Sequence, residues 1–250
     1  MMARLRRVPY DTAMIGQTTD VLAYVRALIE RGEIGPGDRL PPERALATDI
    51  GVSRPTLRGG LQALAAMGVV QSRRGSGTYI PAGPPSLSST PLRFMASLHG
   101  VTRDQLFEAR QILEGEVAAL AAMRATPQQL SALADVVSEL FASLADPQQF
   151  LVHDVNFHRL VADASGNPAL TSLVGMVVGV FFERRRTNAS RATPRNLDDA
   201  ARMHRRIYRA IRTQDAEGAR AAMHEHLARA RAFQAAEGAA TRKPVQRRSS

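Results

Sequence analysis

An aspartate and a histidine in the segment DVNFHRL, residues 154–160, have a spacing that suits one shared ligand. Asp154 and His158 are four positions apart, so on a helix both side chains project from the same side. That side also carries Phe150, Leu151 and Val161, which predicts that both polar groups point into the protein. Because a buried carboxylate without a partner is costly, a compensating group is expected beside Asp154.

Two more histidines fall on inward faces of predicted helices. His204 shares a stripe with Leu197, Ala200, Ile207, Tyr208 and Ile211. His226 shares one with Ala219, Ala222, Met223, Ala230 and Phe233. The same geometry turns His153 and His224 away from these stripes. The sequence therefore predicts an inward set of one carboxylate and three imidazoles, on three helices.

Three imidazoles and one carboxylate are ligands that suit a divalent metal ion, with zinc foremost and nickel, manganese or iron as alternatives. Coordination positions left open by the protein would take water or a small ligand. Each histidine also has a simpler interpretation, because an inward histidine in a helical domain is most often a hydrogen-bonded core residue. The residues alone leave both interpretations open.

Arg110 falls on an apolar helical stripe with Leu106, Leu113, Val117 and Leu120. A guanidinium stays charged when buried, so this position requires an anionic partner. One candidate is the carboxylate of an effector, which arginine binds in bidentate fashion. The alternatives are an ion pair with Glu114 or extension of the side chain to the surface. The arginines at 184–186 end an apolar helix and are interpreted as a solvated helix end.

The segment GVSRPTLRGGLQAL, residues 51–64, predicts a helix with a polar, cationic front end. Ser53 suits the N-cap, and Leu57, Leu61 and Leu64 share one face that should pack inward. Arg54, Thr56 and Arg58 are then expected on the exposed first turns. A helix N-terminus binds phosphate, and arginine binds guanine edges in pairs of hydrogen bonds.

A short helix is predicted before this segment, and Gly51 suits the turn between the two helices. The two helices and the turn predict a helix-turn-helix that reads the major groove of DNA. Two short strands follow, VVQSR and GTYI, and the glycines of the 74–77 loop between them permit a tight hairpin, or wing. The alternative interpretation is an ordinary three-helix domain with a charged surface.

The remaining elements divide the chain into parts. Residues 1–80 are predicted to form a winged helix-turn-helix domain, and residues 81–91, rich in proline, glycine and serine, a linker. Residues 92–237 have helical periodicity with repeated N-cap signals, which predicts an all-α bundle of six or seven helices. Residues 238–250 are expected to be a basic, disordered tail. The predicted fold class is mainly α.

Composition narrows the function classes. The chain has 250 residues, no cysteine and a formal net charge of +10. Disulfides, thiolate metal sites and cysteine nucleophiles are thereby excluded. No apolar run is long enough to span a membrane, so the expectation is a cytoplasmic protein without a membrane partner. The basic residues concentrate at the two ends of the chain, which favours a polyanionic partner.

Residues 37–80 resemble the winged helix-turn-helix of GntR-family bacterial transcription regulators. The resemblance implies that Arg44, Ser53, Arg54, Thr56 and Arg58 contact double-stranded operator DNA, with Arg74 and Gly75 at the tip of the wing. The segment DVNFHRLVADASGNPAL, His204 and the segment IYRAIRTQDAEGARAAMHEHL resemble the C-terminal effector (FCD) domain of the FadR-like branch. Metal-containing members of that branch imply Asp154, His158, His204 and His226 as ligands, and small organic acids as effectors.

The predicted function is a ligand-responsive transcription regulator that is not an enzyme and binds an inverted repeat as a homodimer. Two copies are expected because one recognition helix buries little surface on DNA. The effector would be a small organic acid held by Arg110 and the metal. Two alternatives are a metal-dependent hydrolase with a nucleic-acid-binding appendage and a regulator whose metal is purely structural, without an organic effector.

Overall fold

The computed structural model describes residues 12–83, 87–186 and 192–240, and this part of the chain is mainly α-helical. It divides into two compact units, 1–86 and 87–250. The first unit contains α1 (Thr12–Glu30), α2 (Glu43–Ile50), α3 (Arg54–Ala66), β1 (Gln71–Arg73) and β2 (Gly77–Tyr79). The second contains α4 (Thr90–Leu98), α5 (Arg103–Arg124), α6 (Pro127–Ala142), α7 (Pro147–Ala164), α8 (Pro168–Arg186), α9 (Pro194–Arg212) and α10 (Ala216–Ala240).

In the first unit, the three helices enclose an apolar core to which α1 contributes Val21 and Val25 and α3 contributes Leu57, Leu61 and Leu64. The inward leucine face predicted for α3 is confirmed. Strands β1 and β2 form an antiparallel hairpin in which Gln71 pairs with Tyr79. The mainly α fold class, with a winged helix-turn-helix followed by a helical bundle, is confirmed.

The adjacent glycines of α3 have different surroundings. A Cβ atom on Gly60 would lie 2.5 Å from the Cβ atom of Val21, so the absent side chain allows α1 and α3 to approach closely. A Cβ atom on Gly59 would meet nothing within 4 Å. Only Gly60 is therefore required by packing.

We expect alanine to have opposite effects at these two positions. Gly60→Ala should destabilise the first unit by about 1–3 kcal/mol through overpacking. Gly59→Ala, in open space, should stabilise it by up to about 1 kcal/mol through helix propensity. Hydrogen exchange of the α1 and α3 amides in the full-length chain measures both effects. Unchanged protection in Gly60→Ala would contradict the packing argument.

The helices of the second unit begin where the sequence predicts. Thr102 and Thr126 accept hydrogen bonds from the backbone amides of Gln105 and Gln129, and both capping boxes are complete. Asp146 caps α7 by accepting hydrogen bonds from the backbone amides of Gln148 and Gln149. Because the caps fix these helix starts, they also fix which side chains turn inward.

Two boundary predictions are wrong in detail. Helix α10 continues to Ala240, so residues 238–240 are helical rather than part of a disordered tail, and residues 241–250 lie outside the described residues. Helix α4 begins at Thr90, inside the predicted 81–91 linker. The tail prediction failed because Ala239 and Ala240, good helix formers, continue the helix past Gly238, where the inward apolar stripe has already ended.

Helices α5 and α10 are antiparallel and are joined along their length by polar contacts. At one end, Arg103 donates to the carbonyl of Gln234, and Arg231 pairs with Asp104. Nearer the other end, a ring nitrogen of His224 lies 3.0 Å from the carbonyl oxygen of Gln111. The last contact is the ion pair between Arg220 and Glu116. These contacts fix the register of the two helices.

The core of the second unit contains Phe150 and Phe157 of α7, Leu133 and Leu140 of α6, and Ile207 and Ile211 of α9. Helix α8, apolar on most sides, buries Val174, Val178 and Phe181 within the same unit. Among the described residues, we find no helix with the length and apolar character that crossing a membrane requires.

Candidate functional site

The four residues predicted as metal ligands come together in the second unit. Asp154 and His158 come from α7, His204 from α9 and His226 from α10, and all four are buried. One ligand atom from each lies within 4.8 Å of the others. The i, i+4 spacing on α7 therefore places two candidate ligands on one face, and the inward stripes of α9 and α10 contribute the other two.

The ring of His204 is oriented by its own helix. Its Nδ1 atom lies 2.8 Å from the carbonyl oxygen of Ala200, which makes Nδ1 the protonated nitrogen. Its Nε2 atom, fully buried and without a well-aligned hydrogen bond, lies 3.2 Å from Oδ1 of Asp154. In a neutral ring this arrangement sets a lone pair against a carboxylate oxygen. A cation between the two atoms would remove the repulsion.

The other two rings face each other. The Nε2 atoms of His158 and His226 are 3.3 Å apart, while Nδ1 of His158 lies 2.5 Å from Oε2 of Glu114 in a short, bent contact. A protonated Nδ1 beside the carboxylate of Glu114 leaves Nε2 of His158 as an electron-pair donor. The nitrogens that would bind a metal thus point toward one another.

Burial and neighbouring charges set the ionisation of two of these groups. Burial alone would raise the pKa of Asp154, but the positive charge of Arg185 opposes this effect, and that pKa lies well below its ordinary value. Burial, together with the neighbouring His204 and His158, holds the pKa of His226 well below its ordinary value. The site therefore contains an ionised carboxylate and a neutral imidazole, the forms that ligate metals.

The residues fit a divalent metal ion. Three nitrogen donors and one oxygen donor converge, and the orphaned Nε2 of His204 lacks a positive partner among the described residues. Nitrogen-rich sets of this kind suit zinc, nickel, manganese or iron. When bound, such an ion supplies positive charge and open coordination positions for an anionic ligand.

A cavity of about 330 Å³ adjoins this cluster, and Asp154, His158 and His226 form part of its wall. Four arginines also line it: Arg110, Arg185, Arg195 and Arg229. Its apolar lining includes Leu197, Met203 and Phe233. An opening of this size, with cationic groups and some apolar surface, suits a small organic anion.

Arg110 is buried at this wall and pairs with Glu114 through its Nε and Nη2 atoms. Of the alternatives considered for Arg110, the ion pair with Glu114 is the one observed, although Arg110 also lines the cavity. Burial would raise the pKa of Glu114, but Arg110 and His158 outweigh it and lower that pKa to about 2.

Sequence reasoning missed Arg185. The interpretation of residues 184–186 as a solvated helix end is wrong for this arginine, whose side chain is only 23% exposed and lines the cavity. Its Nη1 atom lies 3.5 Å from Oδ2 of Asp154. The available signal was an arginine in the last turn of a helix whose earlier turns are apolar, but its partner lies on α7, far from it in sequence.

The histidines predicted to face away have other partners. Nδ1 of His153 lies 2.9 Å from a carboxylate oxygen of Glu139, and His224 contacts the backbone of α5. Both are half-buried and lie outside the four-residue cluster.

In the first unit, α3 presents two of the predicted DNA-contacting residues on its first turn. Ser53 is exposed and accepts a hydrogen bond from the amide of Thr56, as an N-cap, and Arg54 is exposed. Arg58 is 60% exposed and donates to Glu43 of α2 at 2.9 Å. This ion pair links the two helices of the helix-turn-helix.

The prediction that Thr56 is exposed is wrong. Thr56 is only 2% exposed, and its hydroxyl lies 2.8 Å from that of Ser53. Its side chain turns back against the cap rather than outward, because the capping hydroxyl of Ser53 offers a hydrogen-bond partner three residues earlier. Thr56 therefore supports the cap that orients the helix.

The hairpin places Arg74 and Gly75 at its exposed turn. Gly75 has φ +74°, a left-handed conformation that glycine adopts without strain. Behind the turn, the guanidinium of Arg73 lies 4.4 Å from the ring centroid of Tyr79. Arg44, on α2, is also exposed.

Comparison with known proteins identifies both units. Residues 17–80 match the family described as bacterial regulatory proteins, gntR family, and residues 105–229 match the FCD domain. A solved structure of a GntR protein from Streptococcus agalactiae is 30% identical in sequence, with a TM-score of 0.64, and the match covers 87% of this chain and 99% of that chain.

Two curated relatives agree with this assignment. The HTH-type transcriptional regulator LutR of Bacillus subtilis is 34% identical over 199 residues, covering 78% of this chain and 91% of the relative. A putative L-lactate dehydrogenase operon regulatory protein of Escherichia coli is 33% identical over 210 residues, covering 82% and 81%. These relatives are transcription regulators, so the hydrolase alternative is not supported. The chain is a ligand-responsive transcription regulator that belongs to the GntR family and carries an FCD domain.

Proposed function

We propose that this regulator binds operator DNA as a homodimer and that its FCD domain binds a small organic acid with the help of a divalent metal ion. One observation carries the effector half of the proposal. Three of the four side chains with converging ligand atoms, Asp154, His158 and His226, are also part of the wall of an arginine-lined cavity. A purely structural metal site has no need of such a cavity.

Different residues would hold the metal ion and the effector. Asp154, His158, His204 and His226 would hold the metal, and open coordination positions would accept one carboxylate oxygen of the effector. Arg185 supplies positive charge beside Asp154. Arg110, which is paired with Glu114, supplies a second positive charge. A charged donor aimed at a carboxylate strengthens binding and excludes neutral analogues.

On the DNA side, the proposal rests on the exposed cations of the first unit. Arg54 and Arg58, at the front of α3, would read base edges or phosphates, with Ser53 and Arg44 as backbone contacts. Arg74 and Gly75 would contact the backbone or minor groove from the wing. Two copies, each with one recognition helix, would read the halves of an inverted repeat.

Regulation requires that the effector bind the DNA-competent and the DNA-incompetent arrangements with different affinities. The metal ligands lie on three helices, so an effector that bridges the metal and the cavity arginines would favour one arrangement of α7, α9 and α10. This is the physical basis on which ligand binding would change DNA affinity.

Native mass spectrometry of freshly purified protein tests the proposal. We expect a dimer carrying about one metal ion per chain, together with a retained acid or a cavity that accepts one from a panel of acetate, L-lactate, succinate and citrate. A dimer whose metal raises the melting temperature, with no further rise from any of these acids, would favour the structural-metal alternative. A metal-free monomer that ignores zinc would overturn the proposal.

Adjacent arginines at the end of α8 provide a matched test of the cavity. Arg185→Ala should weaken binding of the most effective acid from that panel by roughly tenfold or more, because it removes a charge-assisted contact. Arg186→Ala is the control, since Arg186 is 60% exposed and pairs with Glu183. Isothermal titration of both variants measures the difference. Equal affinities in the two variants would remove Arg185 from the effector site.

A further inference from the structure

A single buried carboxylate joins the metal-ligand cluster to the cavity arginine. Glu114 lies on α5, and its side chain is only 3% exposed. One oxygen, Oε1, accepts from Nε of Arg110, and the other, Oε2, lies 3.4 Å from Nη2 of Arg110. The same Oε2 atom lies 2.5 Å from Nδ1 of His158 on α7. One carboxylate thus holds two groups that belong to different parts of the site.

Charge balance explains why a glutamate is stable here. A buried carboxylate without partners is costly, and Arg110 supplies the neutralising charge in a two-point contact. His158 then needs only to be a neutral ring whose Nδ1–H faces the carboxylate across the short, bent contact. That state leaves Nε2 of His158 free to donate its electron pair toward the cluster, where it lies 3.3 Å from Nε2 of His226.

We infer that Glu114 is a positioning residue that orients His158 toward the metal and holds Arg110 at the cavity wall, so that the metal site and the effector site share one carboxylate. The inference rests on the proposed function for the identity of the ligands. Arrangements in which a ligating histidine donates its second ring proton to a carboxylate are general in metal sites, and loss of the carboxylate typically weakens metal binding by 10–100-fold.

This arrangement also couples the two sites. An effector carboxylate that draws Arg110 away from Glu114 would leave the negative charge of Glu114 less neutralised. The attraction between Glu114 and the Nδ1–H group of His158 would then be stronger. Conversely, a metal ion bound at Nε2 of His158 polarises the Nδ1–H group and strengthens its attraction for Glu114. Metal and effector would therefore affect each other through Arg110, Glu114 and His158, in addition to any direct contact between them.

The tautomer of His158 in metal-free protein tests the inference without any substitution. Long-range ¹H–¹⁵N correlation spectra of the wild-type chain distinguish a ring protonated at Nδ1 from one protonated at Nε2. We expect His158 to carry its proton on Nδ1, facing Glu114. A ring protonated only at Nε2 would overturn the inference, whether or not the protein binds metal.

Zinc affinity supplies the second test. Glu114→Gln keeps the size of the side chain but removes its charge, and we expect its zinc affinity, measured by competition with a chromophoric chelator, to fall by about 10–100-fold. The matched control is Glu139→Gln, because Glu139 contacts His153 on the same helix as His158 but outside the cluster. Its zinc affinity should equal that of the wild type.

The outcomes separate this inference from the proposed function. Wild-type affinity in a folded Glu114→Gln variant would overturn the positioning role while leaving the metal site intact. Failure of the wild type itself to bind zinc would overturn the metal half of the proposed function, and the tautomer measurement then decides the orienting role alone. If Glu114→Gln does not fold, the tautomer measurement on wild-type protein again decides.

Discussion

Replacing His226 by alanine should reduce bound zinc from about one ion per chain to less than about a tenth of that amount. The substitution removes one of the four converging donors, the one that α10 contributes to the cluster. We expect the loss of zinc affinity to exceed the 10–100-fold loss that is typical when a residue that hydrogen-bonds to a metal ligand is replaced. Elemental analysis after incubation with zinc and buffer exchange measures the occupancy.

His224→Ala is the control for this substitution. His224 lies on the same helix, two positions earlier, and contacts the backbone of α5 instead of the cluster. We expect full zinc occupancy in this variant. Full occupancy in His226→Ala, or equal loss in both variants, would show that the four residues are not the ligand set.

Arg54→Ala should lower specific DNA affinity by roughly 10–100-fold and leave the fold intact. Arg54 is exposed at the first turn of α3, where an arginine that binds a guanine edge in bidentate fashion contributes about 1–3 kcal/mol. Arg58→Ala should cost less, because Arg58 pairs with Glu43 in the absence of DNA and must exchange that partner. Fluorescence anisotropy with a duplex selected by the wild-type protein measures both.

The comparison variant is Arg26→Ala, on α1. Arg26 is an exposed arginine of the same unit and pairs with Glu30 at 3.5 Å. Its removal lowers the net charge by the same amount, so any purely non-specific effect of charge appears in both variants. Equal affinity losses in Arg26→Ala and Arg54→Ala would refute the assignment of α3 as the recognition helix.

Sequence patterns were sufficient for features that depend on one helix. Capping residues such as Thr102 and Asp146 predicted helix starts, and the inward stripes predicted that His204 and His226 are buried. Periodicity predicted that the four side chains of the cluster face inward, whereas their convergence on one metal was implied only by the resemblance to metal-containing FCD domains. The hairpin followed from glycines between two short apolar segments.

Features that depend on side-chain rotamers or on contacts between helices were not predictable in this way. The turn of Thr56 toward Ser53 depends on a side-chain rotamer, and a helical projection gives only the direction of Cβ. The contact of Arg185 with Asp154, and that of Glu114 with His158, each join two helices. The ion pair of Arg110 with Glu114 could be predicted, as one of three alternatives, because the two residues are four positions apart on one helix.

The contacts between α5 and α10 have a consequence for how this domain changes shape. The polar contacts at both ends and in the middle of the α5–α10 interface oppose sliding of one helix along the other. The two helices should therefore move as one rigid unit. His226 belongs to this pair of helices, whereas Asp154 and His158 lie on α7 and His204 lies on α9. The contact of His158 with Glu114 joins α7 to the pair at one point. We therefore expect a bound effector to shift α7 and α9 relative to α5 and α10, rather than to slide α10 along α5.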